Sequence, residues 1–432
     1  MLVLLCLPLG ISAQEPVRAY RAEAGVGEGG IEGVLARGRG WWRDYAKKGE
    51  ELLAEAGLIH DPIERIHILR KILSCYPQTP AAEQARVELR GLVTAQPHGP
   101  QLHVTVCPWK DNKEAAVSLT FDDAVPHQIK YHVPLMEERG FRGTFFVFVN
   151  AIERGQGDNW EPWAELAQRG HEIGAHTVSH PRLVELSDEK IKRELEESNR
   201  IIGERIGAVP LTLAYPYAQH NERVRRIARG LYISARSGSS TVAPPTPVDL
   251  YDVPSFVPAT NTSLSEMNSW VDAALQTGGW MVDMIHGIEG QGWQPIPRER
   301  YEAHFDYLAE REDRLWVATY AEVAKYIRER EAAVVDTIEV GKDRAVFELL
   351  MSDLDGGICD EPLTLRLEVP FDWAVVTVEQ GESISREARC LAEEHGKVVY
   401  FDAVPNGGEI MVEVVERGVQ IQEPREAEVG EE

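Results

Sequence analysis

The chain has 432 residues, enough for more than one domain at a prior of roughly 100–200 residues each, and 43% of them are hydrophobic, an ordinary content for a protein with real cores. Acidic residues outnumber basic ones by 70 to 45, a formal charge of -25. So negative a surface repels phosphate backbones and sets nucleic acid aside as a partner; over the whole chain it suits a neutral or cationic substrate better than an acidic one, though net charge says little about a local cleft.

The first residues, MLVLLCLPLGISAQE, are an apolar run followed by Ser12-Ala13, small residues of the kind found at cleavage sites. A basic n-region is missing, yet the pattern favours a signal peptide over residues 1–13 and an exported protein: periplasmic, secreted or at the cell surface. No later stretch reaches the ~18 apolar residues that cross a bilayer, so no transmembrane span is expected. Residues 14–38, rich in Gly, Glu and Ala without periodicity, read as a flexible lead-in. Residues 39–100 turn helical. Ile63, Ile66, Ile68, Leu69, Ile72 and Leu73 form a stripe, Pro77 to Pro80 breaks it, and a second helix follows with Ala85, Val87 and Leu89 inward. The pair resembles one tetratricopeptide-type repeat. A single repeat cannot bury its own face, so it packs on the next domain or on a protein partner.

From 103 to 331 short apolar strands alternate with amphipathic helices, the mark of an α/β domain with parallel strands. The strands are expected at 115–120, 143–149, 172–176, 211–215, 231–235, 255–257, 280–285 and 315–318. A helix is expected over 188–206, with Ser187 as its N-cap. Residues 334–418 read as alternating strands with Gly, Pro and Asn-Gly turns, a small antiparallel β-sandwich, and 419–432 as a disordered acidic tail. Past Cys6 there are Cys75, Cys107, Cys359 and Cys390, with no CxxC; Cys359 and Cys390 are open either to pairing or to remaining buried thiols.

Two segments carry the chemistry. SLTFDD (Ser118 to Asp123) is an apolar run ending in two adjacent carboxylates, and HTVSH (His176 to His180) places two imidazoles four residues apart. One Asp and two His are a ligand set for zinc or a similar divalent ion, and three protein ligands leave coordination positions open for catalysis. His176, His180 and one of Asp122 and Asp123 are the candidate ligands. The spare carboxylate is the candidate general base. All the candidate residues fall at the C-terminal ends of strands, where a β/α barrel builds its active site.

With AYPY (Ala214 to Tyr217) and MIHG (Met284 to Gly287) added, roughly residues 113–330 resemble the polysaccharide deacetylase family, also called the NodB-homology domain. The branch it is most similar to is the one related to gellan lyase catalytic domains. The resemblance implies an α/β fold, a deformed (β/α) barrel of the polysaccharide deacetylase type, here with an N-terminal helical segment and a C-terminal β-sandwich. It implies a metal-dependent hydrolase that removes N- or O-linked acetyl groups from an acetylated oligo- or polysaccharide. It also implies that Asp123, His176 and His180 hold the metal, that Asp122 is the general base, that the Tyr217 backbone N–H stabilises the developing oxyanion and that His286 protonates the leaving group. Two positions depart from the pattern. Ala214 stands where the third motif carries an Arg that orients the base, and Arg236, at the end of the next strand, is the candidate replacement. The acid histidine's Asp partner is not obvious; Asp252 is the candidate. His171 reads as structural. Trp160, Trp163, Trp270 and Trp280 are expected in packing, and Trp293, in a loop after His286, as a sugar-stacking candidate. The rival readings are a catalytically weak or inactive carbohydrate-binding scaffold and hydrolysis of some other C–N amide.

Overall fold

The computed structural model describes residues 102–417 apart from 246–248, 352–360, 382–383 and 394–395, together with 47, 50–59, 65, 68–69, 72 and 80–94. The expected leader, lead-in and acidic tail lie outside the described residues, as do Cys6, Cys75 and Cys359 and hence the Cys359–Cys390 pairing. Within the N-terminal segment Pro80–Thr94 forms one helix. Proline opens it at a position where a backbone N–H would have no intrahelical acceptor. Ala81, Ala85 and Leu89 are buried against Ala56, Leu69 and Ile72. Val87, expected inward with them, is 65% exposed. Two residues beyond Ala85 a helix has turned by about 200°, so Val87 belongs to the opposite face.

A short strand, β1 (Val104–Val106), precedes the central unit. That unit is a seven-stranded parallel sheet of β2 (Ala115–Asp122), β3 (Thr144–Val147), β4 (Glu172–Ala175), β5 (Thr212–Ala214), β6 (Ser234–Arg236), β7 (Trp280–Ile285) and β8 (Leu315–Val317). The order is β6-β5-β4-β3-β2-β7, with β8 paired to the start of β2. Between β6 and β7 an extended segment closes the ring through two single parallel bridges, Arg236 with Val253 and Phe256 with Asp283. The strand expected at 255–257 is reduced to these bridges. The result is a deformed β/α barrel. Its central strand, β2, is buried at every residue, as a parallel strand covered on both faces must be. Alternation along β7 sends Trp280 and Val282 inward, among Phe146, Ala214 and Tyr320, and Met281 and Ile285 outward under the helices.

The helix Asp188–Ile206 has the expected bounds, but the Ser187 side chain makes no capping hydrogen bond at its start. The helix Tyr320–Ala332 is closed by a full capping box between Thr319 and Glu322. It leads directly into β9 (Ala333–Val340) and β10 (Arg344–Met351), followed by β11 (Leu363–Val369), β12 (Trp373–Gln380), β13 (Ile384–Arg389), β14 (Leu391–Glu393), β15 (Gly396–Ala403) and β16 (Glu409–Arg417). These form two antiparallel sheets, β13-β12-β16-β10-β9 and β1-β11-β15-β14, packed as a β-sandwich. The strand β1 is thus drawn from ahead of the barrel into the sandwich, where Val104 pairs with Leu367. Tyr326 from the last barrel helix sits in the sandwich core, and its hydroxyl donates to Cys107 O at 3.0 Å. Barrel and sandwich therefore share a wall. Among the described residues no helix is long and apolar enough to cross a membrane.

Candidate active site

Five of the strands release their side chains at the same end of the barrel. β2 ends with Asp122 buried and Asp123 at the rim, β4 leads into His176 and His180, β5 into Tyr217, β6 ends on Arg236, and β7 leads into His286. The chain turns sharply as it leaves each strand. Asp123 (φ 71), Thr177 (φ 71), His180 (φ 57) and Tyr217 (φ 59) all occupy the left-handed region. Non-glycine residues there cost of order ~1–3 kcal/mol each and gather where surrounding structure holds them for a purpose. No glycine or asparagine marks these turns in the sequence.

His176 Nδ1 donates to the main-chain oxygen of Ala214 at 2.7 Å, which fixes the tautomer and leaves Nε2 unprotonated and facing the site. His180 Nε2 approaches it to 3.1 Å. Asp123 Oδ1 lies 3.8 Å from the first nitrogen and 3.6 Å from the second. Burial pulls the His176 pKa down to about 3 and lowers that of His180, so both rings are neutral, the form that ligates a metal. Two ring nitrogens and a carboxylate converging this closely are the donor set of a divalent cation, and their ligand atoms all lie within 4.8 Å of one another. The residues present therefore fit the ion that the sequence pattern implies.

Asp122 sits beside this cluster, 2% exposed. Burial alone would raise its pKa, but the charge of Arg236 outweighs it and holds the carboxyl below its usual range. Arg236 Nη2 donates to Asp122 Oδ2 at 2.5 Å. The other oxygen, Oδ1, is buried with no hydrogen-bond partner among the described residues. In Asp123 burial and the neighbouring Asp122 charge push the pKa up, as two adjacent carboxylates require. His286 Nε2 lies 3.8 Å from Asp122 Oδ2, and its ring meets Trp293 edge-on at 4.7 Å. That contact depends on Gly287, where a Cβ would come within 2.6 Å of Gln291 O and 2.7 Å of Trp293 O.

The seven sequence candidates are thus gathered at one barrel mouth. Asp252 is not with them. It pairs with His220 at 2.9 Å and accepts from Ser237 Oγ at 2.7 Å, so the expected partnership with His286 is corrected: Asp252 belongs to the β5–β6 side. His286 Nδ1 is buried and without a hydrogen-bond partner among the described residues. Trp160, Trp163 and Trp280 are core, Trp270 stacks on Phe256, and Trp293 is 54% exposed. His171 is structural, its Nδ1 accepting from Gly143 N–H at 3.0 Å.

Two supporting residues escaped sequence reasoning. Glu194 reaches back from the helix Asp188–Ile206 to the loop between the histidines, accepting from Val178 N–H (3.0 Å), Ser179 N–H (2.9 Å) and Ser179 Oγ (2.7 Å). Gln128 Nε2 donates to the carbonyls of Asp122 (2.7 Å) and His286 (2.8 Å), tying two strand ends together. On the sequence, Glu194 looks like one member of a charged helix face, and Gln128 carries no signal.

Residues 110–235 match the family model described as polysaccharide deacetylase. The chain is 28% identical over 346 residues to a gellan lyase of Bacillus sp, covering 73% of this chain and 13% of that protein. It is 30% identical over 130 residues to chitin deacetylase 1 of Cryptococcus neoformans, covering 29% and 27% of the two chains. Among solved structures it is similar to a putative polysaccharide deacetylase from Mycobacterium smegmatis, at 18% identity, over 52% of this chain and 94% of that one, with a TM-score of 0.41. The chain spans well under half the length of either curated relative.

Proposed function

Because residues 110–235 match the polysaccharide deacetylase family model, we propose that the chain hydrolyses acetyl groups from an acetylated oligo- or polysaccharide, yielding acetate and a free amine or hydroxyl. The observation that carries the reading is the buried, ionised Asp122 beside the Asp123–His176–His180 cluster. Those three residues would hold a divalent ion, read as zinc from their two nitrogen donors and one oxygen donor, which would supply Lewis acidity to an acetyl carbonyl and acidify a water. Asp122 is placed to accept a proton from the attacking water as the water's oxygen adds to the acetyl carbonyl carbon. Arg236 keeps Asp122 ionised and aligned, the task that Ala214 cannot perform. The Tyr217 N–H donates to the oxygen on which negative charge develops, a role taken from the family likeness. His286 passes a proton to the departing nitrogen or oxygen, and the exposed face of Trp293 beside it offers a platform for a sugar ring. Export, supported by the apolar run at the start of the sequence, would bring such a site to extracellular polysaccharide.

The test is acetate release from a panel of acetylated oligosaccharides, with metal-loaded protein and Asp122→Asn in parallel. Release that requires zinc or cobalt and vanishes in the variant supports the reading. Stoichiometric metal with no release from any panel member favours a binding scaffold.

A further inference from the structure

Arg182 follows the second candidate ligand after a single proline, and it is exposed at the mouth of the site. Its guanidinium is nonetheless held in place. The central carbon lies 4.4 Å from the ring centroid of Tyr217, and Nη1 donates to Gln219 Oε1 at 2.7 Å. Both partners are neutral, and among the described residues no carboxylate pairs with it. Elsewhere on the barrel surface Arg139, Arg169, Arg200 and Arg229 each face a carboxylate. Of the carboxylates nearby, Glu194 is engaged by the ligand loop and Asp252 by His220 and Arg225.

Tyr217 links this arginine to the centre, because its ring also lies 4.6 Å from that of His180. The local charge follows from the residues. Asp122 and Asp123 are offset by Arg236 and half the charge of a divalent ion, which leaves the centre positive, and Arg182 adds a second cation. With a divalent ion bound, these groups would sum to a positive charge, the opposite sign to the -25 of the chain as a whole. A planar guanidinium with its Nη2 and Nε edge unengaged is shaped to receive a carboxylate through two parallel hydrogen bonds.

We propose that Arg182, positioned by Tyr217 and Gln219, is a substrate-recognition residue that selects acetylated polysaccharides carrying a carboxylate, such as a uronic acid, on a sugar close to the acetylated one. The proposal rests on the deacetylase reading and names its substrate class. It reverses the preference for neutral or cationic substrates that whole-chain charge suggests.

Two measurements test it on the full, metal-loaded chain. In the first, kcat and KM for acetate release are compared between a neutral acetylated oligosaccharide and one of equal length containing a hexuronic acid. Arg182→Gln should lower the selectivity ratio, anionic over neutral, about tenfold, chiefly through KM, as loss of a charged hydrogen-bond pair implies. Arg182→Lys should recover part of it. An unchanged ratio in Arg182→Gln overturns the proposal. In the second, calorimetric binding of an unacetylated uronic-acid tetrasaccharide requires no turnover. Binding by the wild type that Arg182→Gln loses supports the subsite even if no acetate is released from any substrate, in which case the deacetylase reading alone fails. No binding by the wild type, or equal binding by both, overturns the subsite. Equal metal content and thermal stability of the variants exclude misfolding as the cause.

Discussion

Arg236 and Asp122 are separated by 114 residues, yet Arg236 Nη2 lies 2.5 Å from Asp122 Oδ2 inside the barrel, both side chains excluded from water. The guanidinium comes from β6 and the carboxylate from β2, so the pair spans the barrel interior. Breaking a buried ion pair by removing one partner costs roughly 3–5 kcal/mol unless the survivor neutralises. Arg236→Met should therefore leave Asp122 protonated at neutral pH. The acid limb of the pH profile of kcat/KM should move up by more than one unit and activity at pH 7 should fall. Full activity with an unshifted profile would remove Arg236 from the site.

Asp122→Asn keeps the shape of the site and removes the proposed base. Acetate release should fall by ~100-fold or more, the usual scale of general-base catalysis, while metal content stays stoichiometric. Loss of metal together with activity would show that Asp122 is a ligand instead.

Glu194 fixes the ligand loop through three hydrogen bonds to Val178 and Ser179. The loop contains two left-handed residues, Thr177 and His180, whose strain those bonds help to hold. Glu194→Ala should weaken divalent-metal binding by about 10- to 100-fold, as loss of an outer-shell partner does, measured by competition with a chromophoric chelator. Unchanged affinity would reduce Glu194 to a surface residue.

His132 is wholly buried between Phe121 and Tyr301, and burial pulls its pKa down to about 3. In the unfolded chain the same ring takes a proton near pH ~6.5. Its neutral form in the fold therefore favours the native state fully above that pH. As pH falls from there toward 3, the unfolded state binds a proton the native state does not, and stability is lost. Between pH 7 and pH 5 this one group should cost about 2 kcal/mol, read from urea unfolding of the metal-free protein. His132→Phe should flatten the slope by that amount. An identical slope in the two proteins would mean that the ring takes up its proton at the same pH in the fold as in the unfolded chain.

The arithmetic of the sequence was sufficient for part of this. Alternating strands and helices prescribe parallel pairing with helical cover, since a strand apolar on both faces has no other stable surroundings. The pairing of SLTFDD with HTVSH brings chemistry to strand ends, and every candidate in those motifs does converge. The chemistry is legible there because ligand identity and spacing are local properties. The Arg236 contact was legible only as a strand-end position with a missing cation to supply.

What the tertiary structure alone decided depends on residues far apart in the chain. Asp252 goes to His220 because the segment after β6 closes the barrel through single bridges, directing that side chain to the β5 side. Glu194 leaves an apparently solvated helix face because that face lies under the ligand loop. The strand β1 joins the sandwich because its antiparallel partner, β11, begins more than 250 residues later. The sign of the site's mouth is a sum over a few charges in space, to which total composition contributes little. Periodicity and motif spacing record what neighbours along the chain require; side-chain direction and local field arise only when the barrel closes.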